Sequence, residues 1–269
     1  MNKIVVYMVA GLSARFGGKI KQFAKIGPND ETLIEISVNQ ALKAGFDKII
    51  FIVGEKTEAP FKEKFGEEHK GISVKYALQT YDPKFRDRPW GAADALCVAK
   101  NLIDDSFVVC NGDDLYGEET FRILLNHLKE KNTNAAPGYD LGEVLPEEGT
   151  ANRGIFRLNP DNTVHSIKDI FEVSKNNLSE KNLTKESLCS MNIFALQPSI
   201  LEELSNVLDK FKEENSNDRK AECPLPEALT KSLNRDCEKI YVYKTNEKWF
   251  GVTNPGDEEK IRRELKIKN

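Results

Sequence analysis

The chain has 269 residues, of which 39% are hydrophobic and 30% charged, with a formal net charge of −4. This composition can bury a substantial core and lies far from that of disordered chains, and the acidic balance argues against broad binding to nucleic-acid backbones, which needs a basic face. Five cysteines without a CxxC pair and three scattered histidines supply neither a disulfide framework nor a zinc site, so a reducing cytoplasm is the expected compartment.

The first 130 residues alternate strand and helix signals. "KIVVYMVA" is an unbroken apolar run suited to a strand buried on both faces. "ETLIEISVNQALKAGF" follows with Ile34, Val38, Ala41 and Leu42 at helical spacing and Gly45 as its stop. "DKIIFIVG" is a second buried strand; then come a helix from "APFKEKFGEEH", a strand "ISVKYALQ", a helix "GAADALCVAKNLI", a strand "SFVVCNGDD" and a helix "EETFRILLNHLKEK". This alternation predicts βαβ units around a mainly parallel sheet with helices on both faces. After residue 131 shorter strands are expected at "AAPGYDLG", "GIFRLN", "TVHSIKDI" and "LCSMNIFAL", with "NPDN" as a tight turn, giving a mixed or antiparallel extension. Residues 174–185, "SKNNLSEKNLTK", are expected to form an exposed loop. Helices at "PSILEELSNVLDKFKEE" and "PLPEALTKSL", a strand "KIYVYKT" and a terminal helix from Pro255 complete the pattern.

No apolar run reaches the roughly 20 residues that span a bilayer. The opening "MNKIVVYMVAGLSA" competes as a signal peptide, but cleavage there would remove a β-branched strand and strip the basic cluster of Lys19 and Lys21 of its scaffold. That cluster belongs to "MVAGLSARFGGKIKQ", a glycine-rich basic loop directly after the first strand. In an open parallel sheet, ligands sit outside the carboxyl ends of the strands, where backbone N–H groups meet anions. Gly11, Gly17 and Gly18 allow close approach, Arg15 offers a fork of donors and Lys21 a mobile charge. The loop is no Walker A motif, since Ser13 and Ile20 stand where a glycine and a hydroxyl residue belong. Nor is it G-x-G-x-x-G, since Ser13 follows Gly11 by two. A solvated basic turn is the plain alternative. On the same edge, Asp113 and Asp114 end a buried strand; they suit Mg²⁺, or else cap the helix beginning near Glu118.

Four segments in order carry a resemblance that spans nearly the whole chain. "MVAGLSARFGGKIKQ" resembles the signature loop of the nucleotidyltransferase family, the sugar-1-phosphate pyrophosphorylases and cytidylyltransferases. "RPWGAADAL" is similar to its G-T-A-x-A segment, "VVCNGDD" to its magnesium strand and "WFGVTNPGDEEKIRREL" to its closing strand and helix. The resemblance implies a single-domain α/β fold, three-layer αβα, nucleotide-diphospho-sugar transferase-like (Rossmann-like), with a mixed, mainly parallel central sheet. Residues 1–130 would form the nucleotide-binding half and 131–269 the acceptor half with the closing strand and helix.

By the same resemblance, Ala10, Gly11, Ser13 and Arg15 would wrap a triphosphate, Lys21 would neutralise the α-phosphate, Gln79 would contact the base and Gly91 would pack beneath it. Asp113 would hold Mg²⁺, with Asp114 as its alternative and Thr253 as a second ligand where the family carries Asp or Asn. Gly142, Arg153, Lys168 and Asn192 are candidates for the acceptor pocket, although each also suits an ordinary role: a turn, a surface ion pair, a solvated strand face, a sheet hydrogen bond. Ser13 and Ala92 depart from the family's glycine and threonine. His69, His127 and His165 are expected at surface or packing positions, and Trp90 and Trp249 partly buried.

The implied reaction moves an NMP group from UTP, CTP or dTTP to a phosphorylated small-molecule acceptor, most commonly a sugar 1-phosphate, with release of pyrophosphate. The competing expectations are a GT-A-like glycosyltransferase and a non-catalytic nucleotide-sugar-binding regulatory protein. Nucleic acid and membrane are not expected partners, and a homo-oligomer stays open.

Overall fold

The computed structural model describes residues 2–11, 20–233, 238–252 and 256–267. Strand β1 (Ile4–Met8) lies between parallel neighbours β2 (Lys48–Gly54) and β5 (Phe107–Asn111). Parallel β4 (Ile72–Gln79) follows β2, and the two-residue β3 (Glu68–His69) closes that edge in antiparallel sense. Along β1, Ile4 and Val6 enter one apolar layer while Val5 and Tyr7 enter the other. Both faces are buried, which is why the strand reads as an unbroken apolar run. Helices α1 (Leu33–Ala44), α2 (Glu58–Phe65) and α4 (Glu118–Glu130) cover the Tyr7 face; α3 (Ala92–Val98), α6 (Ile200–Glu214) and α7 (Leu225–Ser232) cover the other. The result is the expected three-layer α/β arrangement.

Some sequence expectations change in detail. The helix drawn from "APFKEKFGEEH" stops at Phe65, because Gly66 takes φ +61, and Glu68–His69 instead pair with β4. Residues 174–185 are not simply exposed: Leu178 and Leu183 are buried, and the Leu183 N–H closes a turn on Leu178 O.

In the second half, β7 (Asn134–Asp140) runs parallel to β12 (Ile240–Lys244) and leads into the short α5 (Leu141–Val144). Strands β8 (Ala151–Leu158) and β9 (Val164–Val173) form a long antiparallel hairpin across the "NPDN" turn. "LCSMNIFAL", expected as one strand, is two: β10 (Leu188–Ser190) pairs with β8, whereas β11 (Phe194–Leu196) pairs with β5. Asn192 between them adopts φ +58, a left-handed conformation that Asn tolerates better than most residues. The break transfers the chain from the antiparallel extension, at β10, to the edge of the parallel part, at β11. A two-stranded ribbon of β6 (Asp114–Leu115) and β13 (Phe250–Gly251), followed by α8 (Asp257–Ile267), closes one side. Among the described residues no helix is long and apolar enough to cross a membrane.

Two buried polar groups hold these parts together. The fully buried Tyr116 hydroxyl lies 3.0 Å from Met191 O at the β10–β11 break, 3.1 Å from Asp114 Oδ2, and accepts the Asn111 N–H at 3.2 Å. On α4, His127 Nε2 must donate to Thr133 O (3.0 Å), since a carbonyl only accepts. Its Nδ1 therefore accepts from the Tyr243 hydroxyl (3.0 Å), which in turn accepts from Lys131 Nζ (3.1 Å). Burial holds the His127 imidazole below its ordinary pKa, against the raising effect of the Thr133 bond.

Tyr116→Phe removes the acceptor of the Asn111 N–H and the one proton within reach of Met191 O and Asp114 Oδ2, and should cost about 1–3 kcal/mol in urea unfolding. For His127 the depressed pKa means that the neutral ring is favoured by folding. Its contribution is present above the unfolded value of about 6.5 and is lost as pH falls through the folded value. Thermal stability of the wild type should therefore fall more steeply from pH 7.5 to 5.5 than that of His127→Gln, measured by scanning calorimetry.

Candidate active site

The carboxyl ends of β1, β2, β4 and β5 open on one cleft of about 600 Å³. Ala10 and Gly11 after β1, Gly54 at the end of β2, Gln79 at the end of β4 and Asn111 at the end of β5 all line it. Gly91 and Ala92, opening α3, complete that wall, while Arg88 and Glu222 stand at 3.4 Å from each other as an exposed ion pair on the rim. Gly91 is required here: at φ +94 it presses on residues 222–223, and a Cβ would stand 2.8 Å from the Cys223 nitrogen. Gln79 donates through Nε2 to Gly91 O (3.1 Å) and to Asp94 Oδ2 (2.8 Å).

A charged cluster follows β5. Gly112 lets the chain cross the end of β1, where a Cβ would overlap Val9, and its N–H donates to Met8 O. Asp113 then forms an ion pair with Lys21, which sits on a single 3₁₀ turn, Lys21–Phe23. Asp114 is buried, and its Oδ2 accepts from Asn111 Nδ2 at 2.9 Å. Burial, then the neighbouring Asp113 charge, push the Asp114 carboxyl well above the usual carboxylate range. Neither aspartate caps α4, whose N-cap is Gly117. Gly251 of β13 faces Asp114, and a Cβ there would come within 2.6 Å of Asp114 Oδ1; the next residue, Val252, donates its N–H to Asp113 O (3.3 Å). Two adjacent hard carboxylates just beyond Asn111, which lines this cleft, suit Mg²⁺, which binds one or two carboxylates and fills its remaining positions with phosphate oxygens and water. Among the described residues no third acidic, histidine or cysteine side chain joins them.

Of the acceptor candidates, the structure brings two to this cluster. Asn192 Nδ2 donates to Asn111 Oδ1 (2.6 Å), so the acceptor half touches the strand end that carries the aspartates. Arg153 lies half-buried with its guanidinium 5.3 Å from the Trp249 ring centre; it donates to Val144 O and Asn152 O, and the Asp114 charge reaches it. The other two are not brought there by any described contact. Gly142 lies in α5, its N–H bonded to Lys185 O, and Lys168 stands exposed on β9 opposite Ile155. Ser13, Arg15 and Thr253 lie outside the described residues. Sequence reasoning missed Asn111, Tyr116 and Asp94. Asn111 and Tyr116 flank the aspartate pair in "NGDDLY", and that adjacency was the available signal.

The chain was compared with known proteins. The family model described as "Nucleotidyl transferase" matches residues 18–250. The bifunctional protein GlmU of Methanococcus maripaludis is 27% identical over 212 residues, 78% of this chain and 41% of the relative; the chain thus spans about two fifths of the curated relatives it matches. Among solved structures, a UDP-glucose pyrophosphorylase complexed with UDP-glucose superposes with a TM-score of 0.69 at 16% identity, covering 100% of both chains. The inositol-1-phosphate CTP transferase of T. maritima gives 0.67 at 14% identity over 99% of this chain and 96% of that one. At such identities the superpositions carry the fold, and the family model, matched over most of the chain, carries the membership: this chain belongs to the nucleotidyl transferase family.

Proposed function

We propose that the protein transfers an NMP group from a nucleoside triphosphate to a phosphorylated small molecule, with a sugar 1-phosphate as the preferred acceptor class, and releases pyrophosphate. The observation that carries this is the polarity of one cleft: Gln79 and Gly91 line one wall, and the Lys21–Asp113 pair stands beside the ends of β1 and β5. The family membership supports it, as do solved relatives described as acting on nucleotides and sugar or inositol phosphates. A reducing cytoplasm suits the four described cysteines, which are all free thiols.

A phosphate dianion is already a competent nucleophile at neutral pH, so no covalent enzyme intermediate is needed. The protein's task is to align the acceptor oxygen with the α-phosphorus and to stabilise the charge that moves to the leaving pyrophosphate. Lys21 is a mobile ammonium held by Asp113, and because both side chains are only partly buried it can turn to an arriving phosphate. Asn192, fixed to Asn111, and Arg153 border the side from which an acceptor would enter. Asp113 and Asp114 would hold Mg²⁺, whose chemistry here is to neutralise phosphate oxygens. Arg15 and Ser13, in the loop after β1, would complete the phosphate cradle.

Incubating the protein with Mg²⁺, each NTP and a panel of sugar phosphates and phospho-amino-alcohols should give acceptor-dependent pyrophosphate release with one pair of substrates. Release with no acceptor dependence would refute the transferase reading. Lys21→Ala should lower kcat by roughly 10²-fold or more, as for other oriented charge contacts to a developing anion. Asp114→Asn should separate function from stability. It removes a buried charge beside a like charge, so at pH 8 without metal the midpoint of thermal unfolding should rise by about 2–4 °C, while Mg²⁺-dependent turnover collapses.

A further inference from the structure

We infer that Asp94 and Lys212 lock the Gln79 amide so that it meets the base only as a hydrogen-bond acceptor, which selects nucleotides whose base edge is centred on a ring N–H: uracil, thymine or guanine. The inference deepens the proposed function and rests on a nucleotide occupying the cleft.

Gln79 is 6% exposed at the end of β4 and lines the cleft. An amide can usually turn by 180° and offer either its oxygen or its nitrogen. Here both Nε2 hydrogens are committed, one to Gly91 O and one to Asp94 Oδ2, and neither partner can donate. Turning the amide would set its oxygen against a carbonyl and a carboxylate. The two acceptors are themselves held. Gly91 O also receives the Ala95 N–H of α3 (3.0 Å), and Gly91 is wedged against residues 222–223. Asp94, 7% exposed, has its second oxygen bound by Lys212 Nζ of α6 at 2.9 Å. The order of bonds is thus Lys212 to Asp94 to Gln79, and Oε1 is the one polar atom of the amide to which no described residue is bonded.

The consequence is asymmetric between bases. A glutamine with a free amide recognises adenine by donating and accepting at once, and cytosine likewise presents an amine beside a ring acceptor. With its donors consumed, Gln79 supplies only half of that pair and leaves the ring acceptor desolvated without a partner, an outcome that a binding site penalises strongly. Uracil N3–H, thymine N3–H and guanine N1–H each need an acceptor at that point, and Oε1 is one. Asp94 and Lys212 are positioning residues: they act on the base through Gln79.

The test is equilibrium binding of UTP, dTTP, GTP, CTP, ATP and inorganic tripolyphosphate to the full chain with Mg²⁺. To these is added the ring-N-methylated analogue of the preferred nucleotide, N3-methyl-UTP or N1-methyl-GTP. The wild type should favour a ring N–H base over CTP and ATP by about tenfold or more, and methylation should erase a comparable factor. In Asp94→Asn the new amide can present either end, so Gln79 is released; discrimination should shrink to within about threefold while tripolyphosphate affinity stays constant. Lys212→Ala, at the outer end of the relay, should move selectivity in the same direction and keeps the test open if Asp94→Asn does not fold. Preference for CTP or ATP, equal binding of the methylated analogue, or full selectivity in both variants would overturn the inference and leave the transferase reading standing. Failure of every nucleotide to bind would instead overturn that reading, and the inference with it.

Discussion

The Tyr116 hydroxyl is the constraint around which the catalytic end of the sheet is arranged. It has one proton, and two acceptors stand within reach: the carbonyl of Met191 and the Asp114 carboxylate. The first is left free because the chain must leave β8 at the end of β10 and join β5 at β11, and such a transfer strips sheet partners from the residues between. Tyr116 satisfies the stranded carbonyl, and Asn111 accepts from the side chain of the left-handed Asn192. Buried polar groups left without partners are costly, so these bonds hold the junction together, although the Asn192 Oδ1 is bonded to no described residue. The aspartate pair and the turn carrying Asn192 are thus joined through Asn111 and Tyr116.

The charges in the cleft follow from the same economy. Two cations at the rim of the cleft or beside it are paired with carboxylates. Lys21 takes Asp113, and Arg88 takes Glu222. The second pair is half-exposed and weak by the standards of surface ion pairs, so giving it up to a ligand costs little. Among the described residues no cation lies within bonding distance of Asp114; its Oδ2 accepts from the Asn111 amide and lies beside the Tyr116 hydroxyl, and burial keeps its carboxyl reluctant to ionise. A divalent cation at that position would reverse the balance, since it favours the ionised form of any carboxylate it touches.

The layers were legible from periodicity because strands buried on both faces have few sequence disguises: "KIVVYMVA" and "DKIIFIVG" fall on β1 and β2 almost to the residue. The split of "LCSMNIFAL" was not, since a run of apolar residues carries no sign that its two ends pair with different strands. The cleft residues Ala10, Gly11, Gln79 and Gly91 were found through motif resemblance, which encodes backbone placement at strand ends. What escaped were relationships rather than residues. Asn111 meets Asn192 across 81 positions, and Lys212 meets Asp94 across 118, and no local pattern specifies such pairs.

The wall of the cleft that carries Gly91 shows how such long-range pairs become rigidity. Residues 80–90 form a connection with no helix or strand of its own, yet two arginines staple it to the segment after α6. The Arg86 guanidinium donates to the carbonyls of Asp218 and Ala221 and lies 3.4 Å from the Trp90 ring centre. Arg219 answers from the other side, donating to Lys84 O and Pro83 O while pairing with Asp87. Planar guanidinium groups that cap several carbonyls at once replace the sheet bonds that this connection lacks. Trp90 thereby holds the backbone that delivers Gly91, and its own carbonyl accepts the Cys223 N–H. A cleft wall fixed in this way before any ligand arrives spends little of the binding free energy on ordering. In the proposed reading, discrimination among bases then falls to Gln79, whose amide the same framework orients through Gly91 and Asp94.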